Sequence, residues 1–211
     1  MVKHRGRFGD WQGEAGFSLA EILMATAISS VVLLALYLLY DVNQVTFLKG
    51  EQQSDLQQNA RIAMDRIVRE LRLAGSERQT TPVIPASCAT AIQSATATSI
   101  SFIANIDADD PTEKVQYTYD NASNPPRINR EQWTSAAGPG CNWSADGGAK
   151  SFAERVTALT FAYYDSAGNP TASLGNIRRI SVTITTQDAQ TGSKAQPFTL
   201  RGEVRPRNLG L

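Results

Sequence analysis

The stretch Gly16-Phe-Ser-Leu-Ala-Glu21 is followed by nineteen residues, Ile22 to Tyr40, that carry no charge. As an α-helix, residues 17–40 would span about 36 Å, which is enough to cross a bilayer core of about 30 Å. The sequence therefore predicts a transmembrane helix with one carboxylate, Glu21, near its start. Because a carboxylate deep in a membrane costs about 2.5–3.5 kcal/mol, we expect Glu21 to have a positively charged partner.

Sixteen residues precede this helix, MVKHRGRFGDWQGEAG, and they end in a glycine. A secretory signal peptide is cleaved after its apolar region, whereas here the small residue Gly16 stands before the apolar run. Cleavage after Gly16 would keep the helix and expose a new α-amino group on Phe17, four residues before Glu21. That kind of amine is the nearest natural partner for the carboxylate.

The order of basic leader, glycine, aromatic residue, Ser-Leu-x-Glu and long apolar helix resembles the type IV prepilin-like family, whose leader is a class III signal. The resemblance implies that a prepilin peptidase cleaves between Gly16 and Phe17 and that the new N-terminus on Phe17 is N-methylated. It also implies that Glu21 neutralises the N-terminal amine of a neighbouring subunit. The alternative is that Glu21 lies at headgroup depth on an ordinary anchor.

The charges that flank the apolar run indicate its orientation. Lys3, Arg5 and Arg7 precede the run, whereas Asp41 follows it and the next base is Lys49. Since basic residues favour the cytoplasmic side, we expect one pass through the inner membrane, with the N-terminus cytoplasmic and the head periplasmic. After assembly the chain is expected in a pilus or pseudopilus.

The helix is predicted to continue beyond the membrane, from about Phe17 to Ala74, with Gly75 as the glycine that follows its C-terminus. Apolar residues three or four positions apart draw one stripe along the second half. The stripe consists of Leu56, Ala60, Ala63, Ile67, Leu71 and Ala74. On the opposite face we expect surface ion pairs between residues four apart. The candidate pairs are Arg61 with Asp65, Asp65 with Arg69, and Arg66 with Glu70.

From residue 99 onward the sequence predicts six strands separated by turn-forming residues. They cover Ser99–Ala104, Lys114–Tyr119, Arg127–Arg130, Val156–Asp165, Ile177–Thr186 and Pro197–Arg205. Alternating apolar residues give the later strands one buried face, so an antiparallel sheet should cover the apolar stripe of the helix. The predicted fold class is α+β, a type IV pilin-like fold in which a long N-terminal helix packs on an antiparallel β-sheet head.

The predicted organisation has four segments. Residues 1–16 form a cleaved prepilin leader, 17–40 the transmembrane and assembly helix, 41–75 its amphipathic continuation, and 76–211 a periplasmic β-rich globular head. Without the leader the chain carries 17 basic and 18 acidic residues and no histidine, because His4 lies in the leader. Histidine-based nucleophilic and zinc sites are thereby excluded. We expect no catalytic residues, and the charge balance favours no nucleic-acid partner.

Two cysteines and an acidic run are further candidates in the head. An oxidising periplasm would favour a disulfide between Cys88 and Cys141, with two unpaired thiols as the alternative. Asp107, Asp109 and Asp110 offer oxygen ligands of the kind that calcium takes, and some pseudopilins bind calcium in the head. A solvated turn has the same composition and is favoured, so we expect no cofactor.

Residues 58–75 resemble the PilW-type minor pilins and the J-type minor pseudopilins of type II secretion, and residues 177–180 and 204–209 add to that similarity. The resemblance implies a non-enzymatic minor pilin that primes assembly or occupies the tip. One alternative is a minor pseudopilin of a type II secretion or DNA-uptake system, and another is a signal-anchored inner-membrane enzyme or binding module. The implied partners are other pilin or pseudopilin subunits, the prepilin peptidase and the inner-membrane assembly platform.

Two surface features of the head each have more than one interpretation. Residues 132–150 are predicted to form a long loop with Trp133 and Trp143, which either create a binding surface or pack onto the sheet. Arg201, Arg205 and Arg207 form a basic patch near the C-terminus. For this patch, solvation is favoured over contact with DNA or with a neighbouring subunit.

Overall fold

The computed structural model describes residues 16–76, 88, 90–107, 112–135, 141–187 and 196–209. The predicted leader lies outside the described residues except for its last residue, Gly16. The chain divides into two compact units, Met1–Gly50 and Glu51–Leu211. The described residues contain one α-helix, nine strands and a short 3₁₀ turn, Leu174–Asn176.

The helix α1 covers Leu19–Arg72, which lies within two residues of the predicted bounds at each end. In the first unit its apolar side chains are exposed, with Val31 67% and Leu38 56% accessible. Burying such side chains away from water is worth about 1.5–3 kcal/mol each, so this surface requires an apolar environment. By length and composition, α1 is able to cross a membrane.

In the second unit α1 buries the predicted apolar stripe. All six of its members are at most 3% exposed: Leu56, Ala60, Ala63, Ile67, Leu71 and Ala74. All of them except Leu56 share one core with apolar residues of both sheets, among them Phe102 and Val182. The predicted glycine after the helix is confirmed as well, because Gly75 has a φ of 76°, a value that glycine adopts without strain.

The strands form two antiparallel sheets. The six-stranded sheet contains β1 (Ile92–Ala95), β2 (Ser99–Ala104), β3 (Glu113–Asp120), β4 (Arg127–Ser135), β5 (Trp143–Ala145) and β6 (Lys150–Glu154). Its order is β1-β2-β3-β4-β5, and β6 also pairs with β4. The three-stranded sheet contains β7 (Val156–Tyr164), β8 (Arg179–Thr186) and β9 (Phe198–Val204), in the order β7-β8-β9. The predicted α+β fold is confirmed, with two sheets in the head instead of one.

Three strands were missed by the sequence analysis, namely β1, β5 and β6. Each has three to five residues and little apolar alternation, so only pairing with a longer neighbour holds it in place. The prediction of a loop over residues 132–150 is therefore wrong for 132–135, 143–145 and 150, which belong to strands. Trp133 belongs to β4 and lies 4.7 Å from Lys114 Nζ, measured to the ring centroid, and Trp143 belongs to β5. Both tryptophans are part of the sheet.

Helix α1 lies close to β9 at Gly202. A Cβ atom at this position would lie 2.7 Å from Met64 Sδ and 3.3 Å from Val68 Cγ2. We therefore expect Gly202→Ala to lower the free energy of unfolding by about 1–2 kcal/mol through overpacking. Gly50→Ala is the matched control, because a Cβ there meets nothing within 4 Å and alanine favours the helix by up to about 1 kcal/mol. Urea unfolding of both variants in detergent tests this difference, and equal effects would contradict it.

Candidate functional site

The first turn of α1 begins directly after the predicted cleavage site. Ser18 caps the helix, since its Oγ accepts a hydrogen bond from the backbone N–H of Ala20 at 3.2 Å. The Ser18 carbonyl accepts bonds from the N–H groups of Glu21 and Ile22 at 3.0 and 3.2 Å. Serine is one of the preferred residues at a helix N-cap. The helix start is thus specified locally by the Ser-Leu-Ala-Glu segment.

The peptide bond between Gly16 and Phe17 lies in exposed chain. The Phe17 side chain is 80% exposed. A Cβ atom built on Gly16 would meet no described atom within 4 Å. The described residues therefore leave this bond accessible, as cleavage by a peptidase requires.

Glu21 occupies the third position of the first turn, and Ser18-x-x-Glu21 has the spacing of a capping box. In that motif the glutamate would accept a hydrogen bond from the Ser18 backbone N–H. The described residues do not form this box, because Ser18 Oγ accepts from the Ala20 N–H instead of the Glu21 N–H, and none of them donates a hydrogen bond to the exposed Glu21 carboxylate. This spacing is visible in the sequence and was missed. The carboxylate is left available for a group outside the described chain.

Two hydroxyls in the apolar part of α1 are satisfied within the helix. Thr26 Oγ1 donates to the Leu23 carbonyl at 2.9 Å, and Ser30 Oγ donates to the Ala27 carbonyl at 2.7 Å. These bonds reduce the cost of placing polar side chains in lipid. Together with the alanines beside them, the small side chains allow another helix to approach closely.

A comparison with protein families identifies this segment. Residues 11–37 carry the prokaryotic N-terminal methylation motif. The match includes Gly16, Phe17, Glu21 and most of the apolar run. A comparison with curated proteins finds no match to the chain. The motif supports a type IV pilin-like or pseudopilin-like protein that is anchored in a membrane and assembles with similar subunits.

Beyond the methylation motif, a buried ion cluster joins α1 to the six-stranded sheet. Glu70 is 3% exposed. Its Oε2 accepts hydrogen bonds from Tyr117 Oη at 2.6 Å and from Arg130 Nε at 3.0 Å. Its Oε1 accepts a bond from Arg66 Nε at 2.9 Å. The carboxylate thus binds side chains from β3 and β4 as well as one from its own helix.

This cluster corrects the prediction of surface ion pairs along α1. The Arg66–Glu70 pair is present, but its acidic member is buried rather than solvated. The two pairs predicted for Asp65 are not among the ion pairs of the described residues. Spacing along one helix identified a partner four residues away, but it contained no information on the strand residues that cover Glu70.

Contacts within the cluster shift the pKa values of Glu70, Tyr117 and Arg130, and each shift favours the protonation state that the group has at neutral pH. Burial alone would raise the pKa of Glu70, but hydrogen bonds from Tyr117, Arg66 and Arg130 outweigh it and lower the pKa. Burial, together with the adjacent Glu70 charge, raises the pKa of Tyr117. Burial would lower the pKa of Arg130, but the Glu70 carboxylate raises it. At neutral pH the cluster therefore holds a carboxylate, a neutral phenol and guanidinium groups.

The lowered pKa of Glu70 predicts a pH dependence of stability. A depressed folded-state pKa contributes stability above the unfolded-state pKa, near 4.5, and that contribution is lost as the pH falls through the folded-state value. We expect Glu70→Gln to be less stable than the parent chain at neutral pH, with a gap that narrows below pH 4.5. Urea unfolding at a series of pH values measures the gap, and widening on acidification would contradict the assignment.

The two cysteines are joined in the structure, with their Cα atoms 5.5 Å apart, a separation common among disulfides. The bond would tie the segment before β1 to the segment before β5. We expect the chain from its native membrane to show no reactive thiol until it is reduced, and two afterwards. Mass spectrometry after thiol alkylation gives this count, and alkylation of Cys88 and Cys141 without reduction would contradict the pairing.

The acidic run considered for calcium is only partly described, because Asp109 and Asp110 lie outside the described residues. Asp107 is described and follows β2. Within the described ranges, no group of three or more histidine, cysteine, aspartate or glutamate side chains is arranged to hold a metal ion.

Proposed function

We propose that this chain is a non-enzymatic minor subunit of a type IV pilus, cleaved after Gly16, N-methylated on Phe17 and assembled through α1. The observation that carries the proposal is the placement of Glu21. Its carboxylate lies in the first turn of an exposed apolar helix, four residues after the new N-terminus, and no described residue pairs with it.

The high free energy of a charged group in lipid would drive the pairing of Glu21 with the Phe17 amine. An α-ammonium group and a carboxylate are each unfavourable in the bilayer, and they become tolerable when they meet inside a helical bundle. As helices of neighbouring subunits pack, Glu21 of one chain would accept hydrogen bonds from the Phe17 amine of another. Subunit register would then follow from this contact, while the small residues of α1 permit close packing.

The minor role is supported by the resemblance of residues 58–75 to PilW-type minor pilins and to J-type minor pseudopilins. Before assembly the chain would cross the inner membrane once, with a cytoplasmic N-terminus and a periplasmic head. The prepilin peptidase and the inner-membrane assembly platform would act on it there. A pseudopilin of a secretion or DNA-uptake system would share the methylation motif and the same helix chemistry.

Deleting the gene in the native host separates these functions. A minor pilin predicts loss of surface filaments, restoration by the intact gene, and only sparse recovery of the chain relative to the main subunit in sheared filaments. Unchanged filaments with loss of protein secretion or DNA uptake would assign the chain to a pseudopilus. Unchanged filaments, secretion and DNA uptake would contradict both assignments.

A further inference from the structure

A pocket of about 500 Å³ opens at one end of the three-stranded sheet. The loop after β7, the residues at the start of β8 and the two residues after β9 form its walls. The charged and polar residues that line it are Asp165, Ser166, Arg178, Arg179 and Arg205. We propose that this pocket binds an oxyanion, the carboxylate or phosphate group of a ligand. The inference does not rest on the proposed function, because every lining residue belongs to the head.

The positive charge of the pocket is not cancelled by its own wall. The lining contains three guanidinium groups and one carboxylate, that of Asp165. This carboxylate is bound within its own loop, where Oδ1 accepts the backbone N–H of Asn169 at 2.8 Å. No ion pair joins it to an arginine in the described part of the chain. An incoming anion would therefore meet an excess of positive charge.

Two of the arginines are held in place before any ligand arrives. Arg178 Nη1 donates to the carbonyls of Gly175 and Ile177 at 2.7 and 2.9 Å, which leaves its Nε and Nη2 groups to donate elsewhere. Arg179 lies over the Tyr164 ring, with Cζ 4.3 Å from the centroid. Fixed guanidinium groups lose less conformational freedom on binding, and their planar donors suit carboxylate and phosphate.

The acidic residue next to Arg179 competes only weakly. Glu203 Oε2 lies 3.6 Å from Arg179 Nη1, beyond good hydrogen-bond distance, and the Glu203 side chain is 47% exposed. The same carboxylate also lies 3.6 Å from Arg201 Nη2, so it is shared between two guanidinium groups. An exposed pair of this kind contributes about 0–1 kcal/mol. A ligand oxyanion in the pocket can therefore outcompete Glu203.

Arg205 supplies the third guanidinium and is exposed, with no ion pair to a described residue. Its sequence position predicts one basic patch that also contains Arg201. The structure separates the two, because Arg201 Nε donates to Ser181 Oγ at 3.1 Å and does not line the pocket. Arg201, in the middle of β9, is therefore a control that is equal in charge but outside the site.

The test uses the full chain in an uncharged detergent at low ionic strength, titrated with inorganic phosphate and separately with citrate. The arginine Nε–Hε signals are followed by NMR. We expect saturable shifts of the Arg178, Arg179 and Arg205 signals. Arg205→Gln should weaken binding about tenfold or more, because it removes charge-assisted hydrogen bonds, whereas Arg201→Gln should change it less than about twofold. Since Arg205 has no described partner, its replacement should leave the head folded.

The outcomes separate the two sources of the oxyanion. Tighter binding of citrate would assign the pocket to carboxylate ligands, such as acidic side chains of another protein, and tighter binding of phosphate would assign it to phosphate-bearing ligands. Shifts that do not saturate would overturn the proposal. Equal weakening by Arg205→Gln and Arg201→Gln would overturn it too, because it would show attraction to general surface charge only.

Discussion

Replacing Glu21 by glutamine is expected to leave cleavage after Gly16 intact and to lower recovery of the chain in filaments about 100-fold. An amine left without its carboxylate is an unpaired charge in lipid, which costs about 2.5–3.5 kcal/mol, and each 1.4 kcal/mol is a factor of ten. Glutamine has the shape of glutamate, and the helix start uses only the Ser18 hydroxyl and carbonyl, so the substitution preserves it. The substitution therefore isolates the negative charge.

Glu21→Asp is the control for this experiment, because it shortens the side chain but keeps the charge. We expect it to be recovered in filaments better than Glu21→Gln. Quantitative mass spectrometry of sheared filaments and of membranes measures both pools of each variant. Recovery of Glu21→Gln at the level of the parent chain would contradict the pairing, even if processing were normal.

Replacing Arg130 by methionine is expected to destabilise the head by about 3–5 kcal/mol. The substitution removes the more buried of the two cationic partners of the Glu70 carboxylate, and breaking a buried ion pair by removing one partner has an effect of this size. The Arg130 side chain is only 13% exposed, so water cannot readily replace its hydrogen bond to Glu70. Urea unfolding of the full chain in detergent, followed by tryptophan fluorescence, measures the loss.

Arg66→Met is the matched control, since Arg66 binds the same carboxylate from a side chain that is 42% exposed. We expect a loss of less than about 1 kcal/mol, as for solvated ion pairs. Combining Arg130→Met with Glu70→Gln should cost less than the sum of the two single changes, because the second removes the charge that the first left unpaired. A larger effect of Arg66→Met than of Arg130→Met would contradict this account of the cluster.

The features that sequence predicted well are local or periodic. The cleavage segment is contiguous, and its chemistry follows from the order of a few residues. The apolar stripe repeats at helical spacing, and all its members are buried. In β8 the alternation of Ile180, Val182 and Ile184 identified the buried face correctly, because a strand turns successive side chains to opposite faces.

The features that sequence missed depend on residues distant in the chain. Glu70 looked like a surface residue because Arg66 lies four positions before it, at the spacing of a surface ion pair, and only Tyr117 and Arg130, brought across from two strands, make it a buried one. The strands β5 and β6 exist because β4 offers them a partner, not because of their own composition. The arginine pocket likewise combines three separate segments. Such contacts depend on how the whole core packs, and no single stretch of sequence predicts them.

A processed pilin-like subunit begins at residue 17, so the N-terminus of the mature chain decides whether this protein is one. The measurement is intact mass with N-terminal peptide mapping of the protein from membranes of its native host, with and without the prepilin peptidase. We expect a chain that begins at N-methylated Phe17 only when the peptidase is present. A chain that retains residues 1–16 in both strains would contradict it.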